Sequence, residues 1–194
     1  MSRTKEFNED KALEAAMYLF WEKGYEATSM QALEESMGLK RTSIYNAFGN
    51  KRALFQLALN RYLSIVLSRF LSVLNEASTA KQAIQQVLTE VLNLHFNKNH
   101  PGGCMVVLSL LESNQHDKDT NAQLDSALKQ LSTAIVKRLQ QGVKEGDINN
   151  NFECNVVGTQ VTALITGMIV MAKANFPKKD FEKLIENYLS TLMS

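Results

Sequence analysis

An all-α fold is the class that this sequence predicts, and three observations carry the prediction. Apolar residues return at helical spacing in one segment after another, the 194 residues include only two prolines and nine glycines, and 45% of them are hydrophobic. That is enough apolar material for one small helical domain and a larger one after it.

The first helix is marked by Asn8 as a cap, by Glu9 and Asp10 at its positive end, and by the stripe Leu13, Met17, Phe20 and Trp21. Gly24 stops it. Thr28 and Ser29 are good caps for a second, short helix whose stripe is Met30, Leu33 and Met37, at i, i+3 and i+7. Gly38 can take a left-handed backbone and end that helix, with Leu39 as the apolar residue that pins the turn to the core. A third helix is expected from Lys40 to Phe48. Ile44, Ala47 and Phe48 face inward, while Arg41, Thr42, Ser43, Tyr45 and Asn46 lie on or near the outward side and the first turn. Two short helices joined by a glycine turn, the second basic and hydroxyl-rich, have the layout of a helix-turn-helix that enters the major groove of DNA.

Asn50 caps a fourth helix that starts at Lys51 and continues past Tyr62 to about Leu74, a rigid rod shared by both domains. Thr79 to Phe96 follows with Ile84, Val87, Leu88, Val91 and Leu94 inward, and then NKNHPGG breaks the chain. Cys104 to Leu111 reads as a short buried helix. Asn121 to Val143 is a long amphipathic one, with Leu124, Leu128, Leu131, Ile135 and Leu139 on one face, and a loop runs from about Gly146 to Asn151. From Val156 to Phe176 the chain is nearly all apolar with small residues interspersed. Gln160, the threonines and Lys173 argue against a membrane span there, so this helix must be covered by protein on several sides. Phe181 to Leu192 closes the chain with the stripe Phe181, Leu184, Ile185, Tyr188 and Leu192.

Net charge is +1, so nothing global draws the chain to nucleic acid and the test is local. Between Glu35 and Glu76 there is no acidic residue, whereas Lys40, Arg41, Lys51, Arg52, Arg61 and Arg69 all fall inside. The first four flank the expected reading helix, where phosphates would have to be neutralised.

From about Asn8 to Phe55, KALEAAMYLFWEKGYEATSM and QALEESMGLKRTSIYNAFGNKRALF resemble the N-terminal domain of the TetR family of transcriptional regulators. The resemblance covers about a quarter of the chain strongly and the rest by helical character and length. It implies a three-helix DNA-binding head at residues 1–50 and an effector-binding, dimerising body at 51–194, with the helix from 51 as linker. It implies a homodimer built through the last two helices, reading a palindromic double-stranded operator, and control by a small-molecule effector. Carried over by position, Thr28 caps the second helix and touches a phosphate, while Arg41, Thr42 and Ser43 open the recognition helix. Arg41 is the candidate for guanine, Tyr45 and Asn46 stand at the groove, and Lys51 completes a phosphate site beside Asn50. Lys40 departs from the pattern, which often has a small capping residue there.

For the effector, Cys104 follows Gly102 and Gly103 at the expected start of a helix, where free amides favour a thiolate. Lys173, the one charge on its apolar helix, needs an anion or a route to water, and a thiolate would suit it. The GGCM segment resembles a subgroup of these regulators, some of which respond to electrophiles or oxidants. The alternative is that Cys104 is a small buried hydrophobe and that Lys173 snorkels. A non-covalent effector would sit among Met105, Leu108, Leu111, Met168, Met171, His95 and Phe96, each of which is otherwise plain core.

No spacing links histidines and cysteines into a metal site, no cofactor is implied, and GxGxxG, GxSxG, P-loop and HExxH motifs are absent. The charged N-terminus, with no signal peptide, and the sparse cysteines fit a cytoplasmic protein. A helix-bundle adaptor using the basic segment for protein contacts is the competing class. Salt-dependent DNA binding separates the two.

Overall fold

The computed structural model describes residues 7–149 and 153–192. Among them the elements are α1 (Glu9–Lys23), α2 (Met30–Met37), α3 (Arg41–Phe48), α4 (Lys51–Glu76), α5 (Ala80–Phe96), α6 (Met105–Leu111), one 3₁₀ turn (Ser113–Gln115), α7 (Lys118–Glu145), α8 (Cys154–Lys173) and α9 (Lys178–Leu192), with no strand. The last two residues of the expected Gly146 to Asn151 loop lie outside the described residues, as do Met1 to Glu6 and the side chain of Leu192.

Capping fixes where the head helices begin. Asn8 accepts from the Lys11 amide at 3.0 Å and Asn50 from the Ala53 amide at 2.9 Å, each satisfying a donor that the first helical turn leaves free. α1 buries Ala12, Ala16, Met17, Phe20 and Trp21 against α4. Phe20 meets Phe55 edge-on at 5.1 Å and Trp21 meets Tyr62 edge-on at 4.9 Å, the arrangement that aromatic quadrupoles favour.

α4 belongs to both parts of the molecule. Its first half buries Leu54, Phe55, Ala58, Leu59 and Tyr62, and its second half buries Val66, Phe70 and Leu74 at a spacing of four. The second half packs on α5 and α7, so head and body share one continuous core.

In the body, α5 lies between α4, α7, α8 and α9 and is buried through Ile84, Val87, Leu88 and Val91. α7 begins earlier than its apolar stripe suggests because Asp117 caps it, accepting from the Thr120 amide at 2.8 Å, and it ends at Gly146 with a left-handed backbone. α9 contributes Phe181, Ile185 and Leu189 to the core. α4 and α8 are long and apolar enough to cross a membrane by length and composition, and here both are packed helices of the bundle.

α8 is covered on one side only within a single chain. Val157, Val161, Ile165, Met168 and Ile169 face inward, while Val156, Val170 and Met171 are 54%, 44% and 38% exposed and Gly167 faces open space.

The α7–α8 contact is tight at Gly158, where a Cβ would stand 2.3 Å from Val136 Cγ2. Gly158→Ala is expected to cost about 1–3 kcal/mol of stability in urea unfolding. Adding Val136→Ala should recover part of that loss.

Candidate nucleic-acid interface

The turn between α2 and α3 is built from local bonds. Gly38 adopts φ 64°, ψ 29°, a conformation that costs a side chain with a Cβ, and the Leu39 amide donates to Glu34 O at 3.1 Å. Ser29, not Thr28, caps α2, its Oγ accepting from the Ala32 amide at 3.1 Å. Thr28 is fully buried and donates its hydroxyl to Gly24 O at 2.6 Å. The expectation that Thr28 caps and touches a phosphate is therefore corrected: adjacent hydroxyls compete for one cap position, and the chain direction after α1 turns Thr28 inward.

α3 starts at Arg41, one residue later than expected. Lys40 stands at its cap position and provides no side-chain cap bond. Glu34 supplies the missing acceptor from the preceding helix, its Oε2 taking the Arg41 amide at 3.2 Å. Sequence reasoning missed Glu34, although an acid seven residues before an uncapped start was the available signal. Ile44 and Phe48 are buried, and Ala47 is half-buried, as the pattern required.

Outward lie Lys40, Arg41, Thr42, Tyr45 and Asn46, all exposed, with Ser43 half-buried. The Arg41 guanidinium carbon sits 5.9 Å over the Tyr45 ring, so the cation and the aromatic form one surface feature. Lys51 is half-buried, its Nζ 4.5 Å over the Tyr25 ring and donating to Glu26 O at 3.4 Å.

The other cations of the acid-free segment answer to acids elsewhere in the fold. Arg52 approaches Asp117 at 3.6 Å, Arg61 meets Asp10 at 3.0 Å, and Arg69 meets Glu90 at 2.6 Å.

The body holds a small apolar cavity of about 50 Å³ between α4, α5, α6, α7 and α8. Of the sensor residues expected from the sequence, Cys104 lines it, and Met105, Leu108, Met168, Met171, His95 and Lys173 do not. Met105 and Met168 are buried elsewhere in the core, and Met171 lies on the open side of α8. Leu111 is 71% exposed. Helical spacing tells which residues point inward but not which void they meet. His95 Nδ1 instead accepts from the Gly103 amide at 2.8 Å, and burial, then the Lys173 charge, hold its pKa below the ordinary value. Lys173 is exposed, its stem passing Gly103, so its ammonium reaches water and requires no thiolate.

Two family profiles match this chain: bacterial regulatory proteins of the tetR family over residues 12–58, and the tetracyclin repressor-like C-terminal domain over residues 80–187. The chain belongs to the TetR family. Among its TetR relatives, the HTH-type transcriptional regulator YezE of Bacillus subtilis is 31% identical, with 77% of each chain covered. The HTH-type transcriptional repressor ComR of Escherichia coli is 28% identical over 98% of this chain and 90% of ComR. In structure it is similar to the TetR family regulator CifR, solved as a cysteine mutant with 26-bp operator DNA, at TM-score 0.88 and 29% identity, covering 97% of this chain and 98% of CifR. The protein is a DNA-binding transcriptional regulator and not an enzyme.

In this TetR family regulator, residues at both ends of α6 bond to the head. The Trp21 indole donates to Gly103 O at 3.3 Å, and the Tyr25 amide donates to Glu112 Oε2 at 2.9 Å. Gly24 has φ 79°, and a Cβ there would stand 2.7 Å from Glu112 Oε1. His116 stacks on Phe55 at 5.0 Å beside this joint.

Glu34→Ala removes the acceptor at the start of α3. It is expected to lower stability by about 1 kcal/mol in thermal unfolding, while Glu34→Gln, which keeps an acceptor oxygen, loses less.

Proposed function

We propose that the protein is a repressor that binds a palindromic operator as a homodimer, with residues 1–50 as the DNA-binding head and 51–194 as the effector-binding and dimerising body. The observation that carries this reading is the outward face of α3, where Lys40, Arg41, Thr42, Tyr45 and Asn46 stand exposed beside a segment rich in cations. A repressor is favoured by the likeness to ComR. Arg41 reads a base edge, since a guanidinium can donate to both acceptors of guanine, and Lys40 and Lys51 neutralise phosphates. Lys51 does so by leaving the Glu26 carbonyl for a phosphate oxygen.

The exposed apolar stripe of α8, Val156, Val170 and Met171 with Gly167 between them, favours pairing of two copies through α8 and α9. Pairing sets the two heads at a fixed separation, and a two-fold symmetric operator follows from it. The body cavity takes the effector. The Cys104 thiol on its wall makes an electrophile or oxidant a second form of signal. Occupancy shifts the equilibrium toward a head separation that no longer matches the operator. The protein acts in the cytoplasm, where its DNA is.

Mobility-shift titrations on DNA from its own promoter region test the reading, with affinity expected to fall steeply as salt rises. Arg41→Ala should weaken operator binding about ten- to hundredfold and relax sequence preference, whereas Lys40→Ala should reduce the slope against salt by about one unit at unchanged preference. Full affinity and preference in Arg41→Ala would remove it as the base reader. Val170→Asp should convert the dimer to monomer in sedimentation and abolish operator binding at the same concentration.

A further inference from the structure

Tyr25, in the loop after α1, meets the body with its backbone and a cation at the start of α4 with its ring. Its amide donates to Glu112 Oε2 at 2.9 Å, at the end of α6, and the absence of a side chain at Gly24 lets that carboxylate come close. Within the loop, Thr28 donates its hydroxyl to Gly24 O at 2.6 Å and its amide to Tyr25 O at 3.4 Å. Those bonds fix the curvature of the loop but not its seat on the body.

The Tyr25 ring has aromatic neighbours on three sides. Its centroid is 6.3 Å from that of Phe20, 5.0 Å from that of Phe55, met edge-on, and 5.2 Å from that of His116. Over this ring stands the Lys51 ammonium, 4.5 Å from the centroid. A cation held on an aromatic face keeps N–H donors for other acceptors. Here one of them goes to Glu26 O at 3.4 Å, a long and exposed bond. A phosphate oxygen carries charge and is the stronger acceptor, so it can replace that carbonyl while the ring contact stays. An unsupported lysine must give up rotamer freedom to hold a phosphate, and the ring has already removed part of that freedom.

We propose that Glu112 is a positioning residue for operator binding: by holding the Tyr25 amide it sets the ring on which the Lys51 ammonium stands, and so places that ammonium for its phosphate. The inference rests on the reading of Lys51 as a phosphate contact and adds to it the body residue that governs the contact. The start of α3 is anchored separately, by Glu34 on the Arg41 amide, so base preference does not depend on this chain of contacts.

Operator mobility shifts with the full-length protein, repeated over a range of salt, test it in a cycle of Glu112→Ala, Lys51→Ala and the double variant. Lys51→Ala is expected to reduce the slope of affinity against salt by about one unit. Glu112→Ala should weaken binding about two- to fivefold at unchanged sequence preference and move the slope the same way. In the Lys51→Ala background it should cost nothing further. Glu112→Gln removes the same charge but keeps an acceptor oxygen for the Tyr25 amide, so it should recover most of the loss. Proton NMR of the DNA-free protein gives a second readout. The Tyr25 ring current should shift the Lys51 ε-methylene signal upfield, and Glu112→Ala should return it toward the position of a free lysine. Tyr25→Leu, which keeps the backbone bond and removes the ring, stands in where Glu112→Ala does not fold and should show the same dependence on Lys51.

Parental affinity and slope in Glu112→Ala overturn the inference. So does a loss of equal size with and without the Lys51 ammonium, which marks a general loosening of the head, and so does a parental Lys51 signal already at the free-lysine position. A normal salt slope in Lys51→Ala overturns the phosphate reading itself, and this inference with it.

Discussion

Two hydrogen bonds, Trp21 to Gly103 and Tyr25 to Glu112, hold the head against the body at either end of α6. Both matter because of where they are. The indole N–H is buried, so breaking its bond leaves a donor with no water to turn to. Between these two anchors, α6 turns Val106 and Val107 toward the cavity, with Cys104 at its cap. Anything that displaces this seven-residue helix must carry the head with it or break the anchors. α4 provides the second mechanical link, since one rod buries side chains in both parts. Head and body are thus joined both through a short common element and through α4.

Charge is organised with the same economy. The chain is close to neutral as a whole, and the acid-free stretch looks uniformly cationic in sequence. In three dimensions it divides. Arg52, Arg61 and Arg69 meet acids from α1, α5 and the start of α7, and so join elements of the fold. Lys40 and Arg41 remain at the exposed tip of α3. Binding that depends on so few local charges is sensitive to ionic strength without making the whole protein adhere to polyanions.

Much of the fold was legible in the sequence because its signals are local. Asn8 and Asn50 cap the helices they were expected to cap, and Gly38 takes the left-handed turn. Failures came where two local signals were equivalent or where the answer lay in a distant segment. Thr28 and Ser29 are equally good caps on paper, and only the path of the chain decides between them. Glu34 replaces a cap that Lys40 cannot provide. The cavity wall was largely misread, since Met105 and Met168 do point inward but toward other neighbours.

The crowding at Gly24 bears on how such regulators can be recombined. A side chain there would have to turn the Glu112 carboxylate aside, and with it the acceptor of the Tyr25 amide, and its backbone angle of φ 79° already disfavours one. Grafting a different reading domain onto this body therefore depends on one residue at the seam as well as on the splice in α4. Donor heads with glycine there can seat on the carboxylate, and the others would give up that anchor.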